Sequence, residues 1–75
     1  MHIEIFTGPN CSWCAAAKTL LAGRGQPFVE YDISDPAHFA SFAERLPRHR
    51  SIPQIFIDGQ HIGGYEDLRI HLSRA

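Results

Sequence analysis

Ile3-Glu4-Ile5-Phe6-Thr7 runs through Gly8-Pro9-Asn10 into Cys11-Ser12-Trp13-Cys14-Ala15-Ala16-Ala17. Ile3, Ile5 and Phe6 mark a strand, and Gly8-Pro9 stops it. From Ser12 to about Arg24, Trp13, Ala16, Ala17, Leu20 and Leu21 recur at the spacing of one helix face. Two thiols two residues apart therefore sit where a strand hands over to a helix. They are the only cysteines in the chain. A pair so placed can close a disulfide and reopen it, which reads as redox chemistry.

Beyond that stretch the pattern keeps alternating. Gly23 and Gly25 end the helix, with Arg24 favourable at its negative terminus. Phe28 to Ile33 read as a second strand. Asp35-Pro36 pairs an N-cap residue with a proline at the first helical position. Phe39, Phe42, Ala43 and Leu46 continue as an apolar stripe that Pro47 halts. Gln54-Ile55-Phe56-Ile57 is a nearly continuous apolar strand, Asp58-Gly59 a strong hairpin signal and His61-Ile62 the return strand. Gly63-Gly64 leads into a last helix over Tyr65 to Leu72. The expected order is β-α-β-α-β-β-α, a parallel βαβ crossover followed by an antiparallel hairpin.

Composition narrows the class. Seventy-five residues make one domain, 1–75, and a chain this short buries only about 60% of its unfolded surface. A net charge of −1 gives no global field for nucleic acid or an anionic membrane. No apolar run approaches the ~20 residues of a membrane span. Met1-His2-Ile3-Glu4 has neither the charged region nor the apolar core of a signal peptide, so a reducing, cytoplasmic setting is expected. Secreted scaffolds held by disulfides usually carry more cysteines, and a bridge this local constrains little chain entropy.

A helix N-terminus presents unpaired N–H groups and about half a positive charge. A sulfur there can have its pKa lowered into the range ~3.5–7.5. Cys11, just ahead of the helix, is the expected attacking sulfur, and Cys14 in the first turn the resolving one. Trp13 is expected to border the site, or else to cover its own helix turn. A structural zinc site would normally need four protein ligands. There is no second cysteine pair, and His2, His38, His49, His61 and His71 lack ligand spacing. Redox dithiol is thus preferred over metal half-site or staple.

Phe6-Thr7, Cys11-Ser12-Trp13-Cys14, Ile52-Pro53-Gln54-Ile55-Phe56-Ile57-Asp58-Gly59 and Gly63-Gly64-Tyr65-Glu66-Asp67-Leu68 together resemble the glutaredoxins, in order and spacing, over nearly the whole chain. The resemblance implies an α/β, thioredoxin-like fold with a four-stranded mixed sheet and three helices on both faces. It implies reduction of protein disulfides and protein–glutathione mixed disulfides, with glutathione as co-substrate. In that family the proline matching Pro53 is cis, turning the Ile52 backbone toward Cys11 to pair with a substrate backbone. Gly64, Tyr65, Glu66 and Asp67 open the last helix, whose N–H groups can hold the γ-glutamyl carboxylate. Glu66 or Asp67 would take the ammonium.

Two positions depart from the family pattern. Many glutaredoxins carry lysine three residues before the first cysteine, where this chain has Gly8. Arg45, Arg48 or Arg50 is expected to replace that cation, with Arg45, late in the second helix, the expected site residue. Ser12 stands where proline is commonest, and its hydroxyl is expected to hydrogen-bond a nearby sulfur. Serine there also keeps open a [2Fe–2S] mode, in which Cys11 would be the protein ligand in a dimer. The absent lysine and Pro9-Asn10 fit a second alternative, an electron donor to ribonucleotide reductase that is itself reduced by thioredoxin reductase. The expected apoprotein is a monomer that binds neither nucleic acid nor membrane.

Overall fold

The computed structural model describes residues 1–74. In chain order the elements are β1 (Ile3–Thr7), α1 (Ser12–Gly23), β2 (Val29–Asp32), α2 (Pro36–Arg45), β3 (Gln54–Ile57), β4 (Gln60–Gly63) and α3 (Tyr65–Ser73). The strands form one sheet in the order β2-β1-β3-β4. β1 and β2 are parallel, and β1–β3 and β3–β4 are antiparallel. The expected element order and the mixed four-stranded sheet are both present.

The period-2 alternation of β1 sets up two cores. Ile3 and Ile5 point to one side, where their partners Ile57 and Ile55 continue the same face. Ala17 and Leu21 of α1 and Leu68 and Leu72 of α3 cover it. Phe6 points to the other side and meets Phe56, Phe42 and Leu46 beneath α2. Two helices thus lie on one face and one on the other. Each fully buried Ile, Leu or Phe side chain contributes roughly 1.5–3 kcal/mol relative to exposure.

Local chemistry explains the helix boundaries. Cys11 caps α1, its sulfur accepting the Cys14 N–H at 3.1 Å. Asp35 caps α2 by accepting the Ala37 N–H at 2.9 Å, with Pro36 at the helix start. Leu46, ahead of Pro47, leaves helical geometry at φ −134° and ψ 66°, as the steric demand of a following proline requires.

Two helix faces differ from expectation. The inward residues of α1 are Cys14, Ala17 and Leu21, whereas Trp13 is 63% exposed. On α2, Phe42 and Leu46 are buried but Phe39 is 53% exposed and Ala43 is exposed as well. A helix this short rests on the sheet along a narrow line, so the flank of the stripe stays in solvent.

Two polar clusters tie the layers. On the α1 side, the carboxylate of Glu30 accepts from Thr7 Oγ1 at 2.7 Å and Lys18 Nζ at 2.9 Å. These two partners hold the Glu30 carboxyl below the usual glutamate value, Lys18 most strongly. On the α2 side, Arg45 makes a bidentate pair with Glu4, at 3.0 and 3.1 Å. The Glu4 carboxylate also accepts from Tyr31 Oη at 3.1 Å, and the guanidinium lies 3.9 Å over the Phe56 ring.

Candidate active site

The path to the dithiol begins at Asn10, whose φ of 55° turns the chain sharply off β1. Asparagine tolerates this left-handed geometry better than most residues. The turn puts Cys11 at the N-terminus of α1, half-buried, with Cys14 buried behind it. The two are joined as a disulfide with Cα atoms 5.2 Å apart. The Cys14 N–H that points at Cys11 Sγ is one of the orphan donors of the helix start and carries part of its positive pole. Once the disulfide is reduced, that N–H and the dipole favour the Cys11 thiolate over its thiol.

Ser12 does not take the expected part. It is exposed, and among the described residues it is the N–H of Cys14 that donates to Cys11 Sγ. The backbone amide, available whatever residue stands at position 12, fills that role.

Ile52 and Pro53 face the dithiol. The bond between them is cis, and the Ile52 carbonyl oxygen lies 3.7 Å from Cys11 Sγ. The loop before it is pinned by Gln54, a buried side chain whose Nε2 donates to Ser51 O at 3.1 Å and Ser51 Oγ at 3.2 Å. With the amide nitrogen so used, Gln54 Oε1 faces His61 Nε2 at 2.7 Å and accepts a hydrogen bond from its N–H. His61 is also edge-packed on His49, their centroids 4.9 Å apart. Burial lowers the His61 pKa, and the charge of His49 lowers it further.

The start of α3 forms the opposite wall. Asp67 accepts the Gly64 N–H at 3.1 Å. The N–H groups of Tyr65, Glu66 and Asp67 belong to the first turn, which has no carbonyl one turn back. Gly63 makes this possible: its φ is +128°, and a Cβ there would overlap the Asp67 carboxyl. Glu66 forms an ion pair along the helix with Arg69, which lowers its pKa. Trp13 closes the rim by packing on Tyr65, centroids 5.3 Å apart.

Between these walls lies a cleft of about 440 Å³, bordered by Trp13, Ile52, Pro53 and Gly64–Asp67, and also by His49, Ser51, Gln54 and Gly63. That volume falls within the ~300–1,000 Å³ usual for small-ligand sites. Three distant stretches of sequence thus meet in one place.

Cys11 and Cys14 sit at the edge of this cleft rather than in its lining, but Arg45, expected at the site, lies elsewhere. Its guanidinium is held by Glu4 and stacked on Phe56 on the α2 face, and it does not border the cleft. Glu4 raises the Arg45 pKa and is itself lowered by Arg45. The reason is visible in the strand period: Glu4 shares the α2 face with Phe6 and needs a cation there. Sequence reasoning also missed His49, Ser51, Gln54 and Gly63. Gln54, a polar residue opening an apolar buried strand, and Gly63, ahead of the last helix, both stood in the quoted motifs, whereas His49 and Ser51 carried no signal.

Among the described residues no three histidine, cysteine or acidic side chains group as metal ligands. With two cysteines in the chain, a cluster held by four thiolates would have to draw at least two of them from outside it. No helix among those residues is long and apolar enough to cross a membrane.

A mixed sheet in the order β2-β1-β3-β4, with a dithiol capping its first helix opposite a cis-proline, defines a thioredoxin-like thiol–disulfide oxidoreductase. The family model for glutaredoxin matches residues 3–62, and the chain belongs to the glutaredoxin family. A probable glutaredoxin of Synechocystis is 46% identical over 67 residues, covering 88% of this chain and 76% of the relative. Glutaredoxin 3 of Escherichia coli is 44% identical over 69 residues, covering 89% and 81%. The crystal structure of glutaredoxin 1 from Francisella tularensis superposes with a TM-score of 0.82 at 29% identity, covering 97% of this chain and 93% of that one. The solution structure of a glutaredoxin from Brucella melitensis gives 0.76 at 41% identity, covering 100% and 82%.

Proposed function

We propose that this chain is a glutathione-dependent reductant of protein disulfides and protein–glutathione mixed disulfides, working in the cytoplasm. The observation that carries the reading is the cleft shared by Ile52 and the α3 start, with Cys11 Sγ at its edge, 3.7 Å from the Ile52 carbonyl oxygen. Glutathione has two carboxylates, one ammonium and a peptide backbone. The first-turn N–H groups of α3 suit its γ-glutamyl carboxylate. Asp67, whose second oxygen is not used by Gly64, suits the ammonium; Glu66 is already paired with Arg69. The Ile52 backbone suits the cysteinyl peptide, as a short antiparallel pairing.

The steps balance as two thiol–disulfide exchanges. The Cys11 thiolate attacks one sulfur of the substrate disulfide; a Cys11–substrate disulfide forms, and the other sulfur leaves as a thiolate that takes a proton. For a protein disulfide, the Cys14 thiolate then attacks Cys11 Sγ and releases the second substrate thiol. The substrate gains two electrons and the dithiol becomes the disulfide seen here. Two glutathione molecules reverse that oxidation and leave as glutathione disulfide. For a glutathionylated protein, Cys11 alone suffices: the glutathione moiety moves to Cys11 and a second glutathione removes it.

A glutathione-coupled turnover assay with Cys11→Ser and Cys14→Ser tests the reading. Cys11→Ser should abolish turnover on both substrate classes. Cys14→Ser should lose protein-disulfide reduction yet keep deglutathionylation. Reduction of the oxidised protein by thioredoxin reductase but not by glutathione would sink the glutathione assignment.

A further inference from the structure

The side of the cleft away from α3 leads into a second concavity, a groove of about 350 Å³ lined by Ile33, Phe39, Phe42, Leu46, His49 and Arg50 among others. We propose that this groove docks the part of a protein disulfide substrate adjoining its half-cystine, and that this part carries a bulky apolar residue beside an acidic one. The inference rests on the chain being a disulfide reductant, and it concerns which protein disulfides it prefers.

Continuity with the dithiol comes first. A Cβ placed on Gly8 would come 2.7 Å from Ile52 Cδ1 and 3.7 Å from Ile33 Cγ1. The two isoleucine side chains therefore converge over Gly8, in the space that a larger residue would fill. Ile52 borders the cleft and Ile33 borders the groove, while His49 borders both. Both isoleucines pack against the Phe6–Phe42–Leu46–Phe56 core. A substrate with its sulfur at Cys11 runs over the Ile52 carbonyl, 3.7 Å from Cys11 Sγ, and onto this apolar ridge. At ~3.3 Å per extended residue, the groove is reached within a few positions.

Chemical character comes second. Phe39 lies 53% exposed on the groove wall and presents an aromatic face to solvent. Among the described residues no carboxylate lines the groove, and His49 and Arg50 supply its polar edge, with Arg48 exposed on the same loop. The nearby Arg45 is neutralised by Glu4 and leaves this positive edge unchanged. An apolar floor with a cationic rim complements an apolar side chain next to Asp or Glu. A second copy of the chain fits worse: among the described residues its own groove face offers no carboxylate to answer this cationic rim.

The test uses three substrates in the glutathione-coupled assay. Two are disulfide-bonded peptides differing only beside the half-cystine, Leu-Glu in one and Ser-Lys in the other; the third is hydroxyethyl disulfide. The unsubstituted protein should favour the Leu-Glu peptide by about tenfold in kcat/KM. Phe39→Ala should erase most of that preference while leaving hydroxyethyl disulfide within about twofold, and Arg50→Glu should turn the preference toward lysine. The inference is overturned if the unsubstituted protein does not discriminate, if Phe39→Ala keeps the preference, or if Phe39→Ala slows all three substrates alike. A protein that sediments as a dimer, with Phe39→Ala yielding a monomer of unchanged preference, would assign the groove to a second copy instead. Failure on all three substrates overturns the reductase reading, and this inference with it.

Discussion

Replacing Gly8 with alanine puts one methyl group where the structure has no room for it. The new Cβ would lie 2.7 Å from Ile52 Cδ1, well inside ordinary van der Waals contact, so Ile52 must rotate. Forcing a side chain about 30° off its rotamer costs about 0.5–1.5 kcal/mol. Alanine also removes unfolded-chain freedom, which stabilises by about 0.4–1 kcal/mol where the backbone accepts it, and Gly8 is not in the left-handed region. The two effects nearly offset, leaving a change between about 0.5 kcal/mol stabilising and about 1 kcal/mol destabilising. Ile52→Val deletes the offending Cδ1 while keeping the branched Cβ. In that background only the favourable effect remains, and Gly8→Ala should stabilise by about 0.4–1 kcal/mol. The difference between backgrounds is the clash itself, ~1 kcal/mol. Urea titration of the four proteins of the cycle reads it: with a slope near ~1 kcal/mol/M, the expected gap is about 1 M in midpoint. An effect of Gly8→Ala equal in both backgrounds to within ~0.3 kcal/mol would refute the claim that Ile52 occupies the space over Gly8.

Arg45→Ala should destabilise by about 2 kcal/mol, because it strands the half-buried Glu4 carboxylate beneath α2, and leave turnover with glutathione unchanged; urea titration and the coupled assay check the two halves. Because Arg45 and Tyr31 lower the Glu4 pKa and Lys18 and Thr7 lower that of Glu30, the unfolded chain binds more protons than the folded one as pH falls. Their stabilisation is therefore fully present above the ordinary glutamate value of 4.5 and drains away below it, so a urea midpoint that is flat near neutrality should fall on acidification, less so in Glu4→Gln. Gly63→Ala should displace Asp67 from Gly64 N–H and raise KM for glutathione several-fold with little change in kcat, as coupled kinetics would show.

What the sequence made legible was mostly what local rules decide. The strand before Gly8, the Asp35-Pro36 start of α2 and the Asp58-Gly59 turn follow from residues within a few positions of one another. The three segments that line the cleft were readable as well, because each is a contiguous motif. Contacts between distant residues were harder to read. Arg45 and Glu4 are 41 residues apart, and only the strand period, read together with the register of α2, would pair them. The apolar stripe of α2 overstated burial, since periodicity names a face and not how much of it the sheet can cover. Trp13 was grouped with Ala17 and Leu21 by spacing. At the helix start, however, one step along the chain is about 100° of rotation, and that step separates the exposed ring from the buried Cys14.

The missing lysine illustrates the same difficulty at the site itself. Read alone, Gly8 is a lost cation beside the nucleophile, and another cation is sought to replace it. Read with Ile52, it is the vacancy that a longer side chain occupies. An exposed cation several ångströms from a thiolate contributes at most ~1 kcal/mol. A helix terminus contributes a comparable ~0.3–1 kcal/mol, here delivered through an amide 3.1 Å from the sulfur. The thiolate thus keeps a source of positive potential that does not depend on position 8. What the Gly8–Ile52 pair alters is the surface around the dithiol, where an apolar ridge runs toward Ile33 and the exposed ring of Phe39. Glutathione keeps the α3 wall, with the N–H groups of its first turn and Asp67, together with the Ile52 backbone, and none of these contacts uses the side chains of the ridge. A change at Gly8 or Ile52 should therefore act on the choice among protein substrates more strongly than on the reactivity of Cys11.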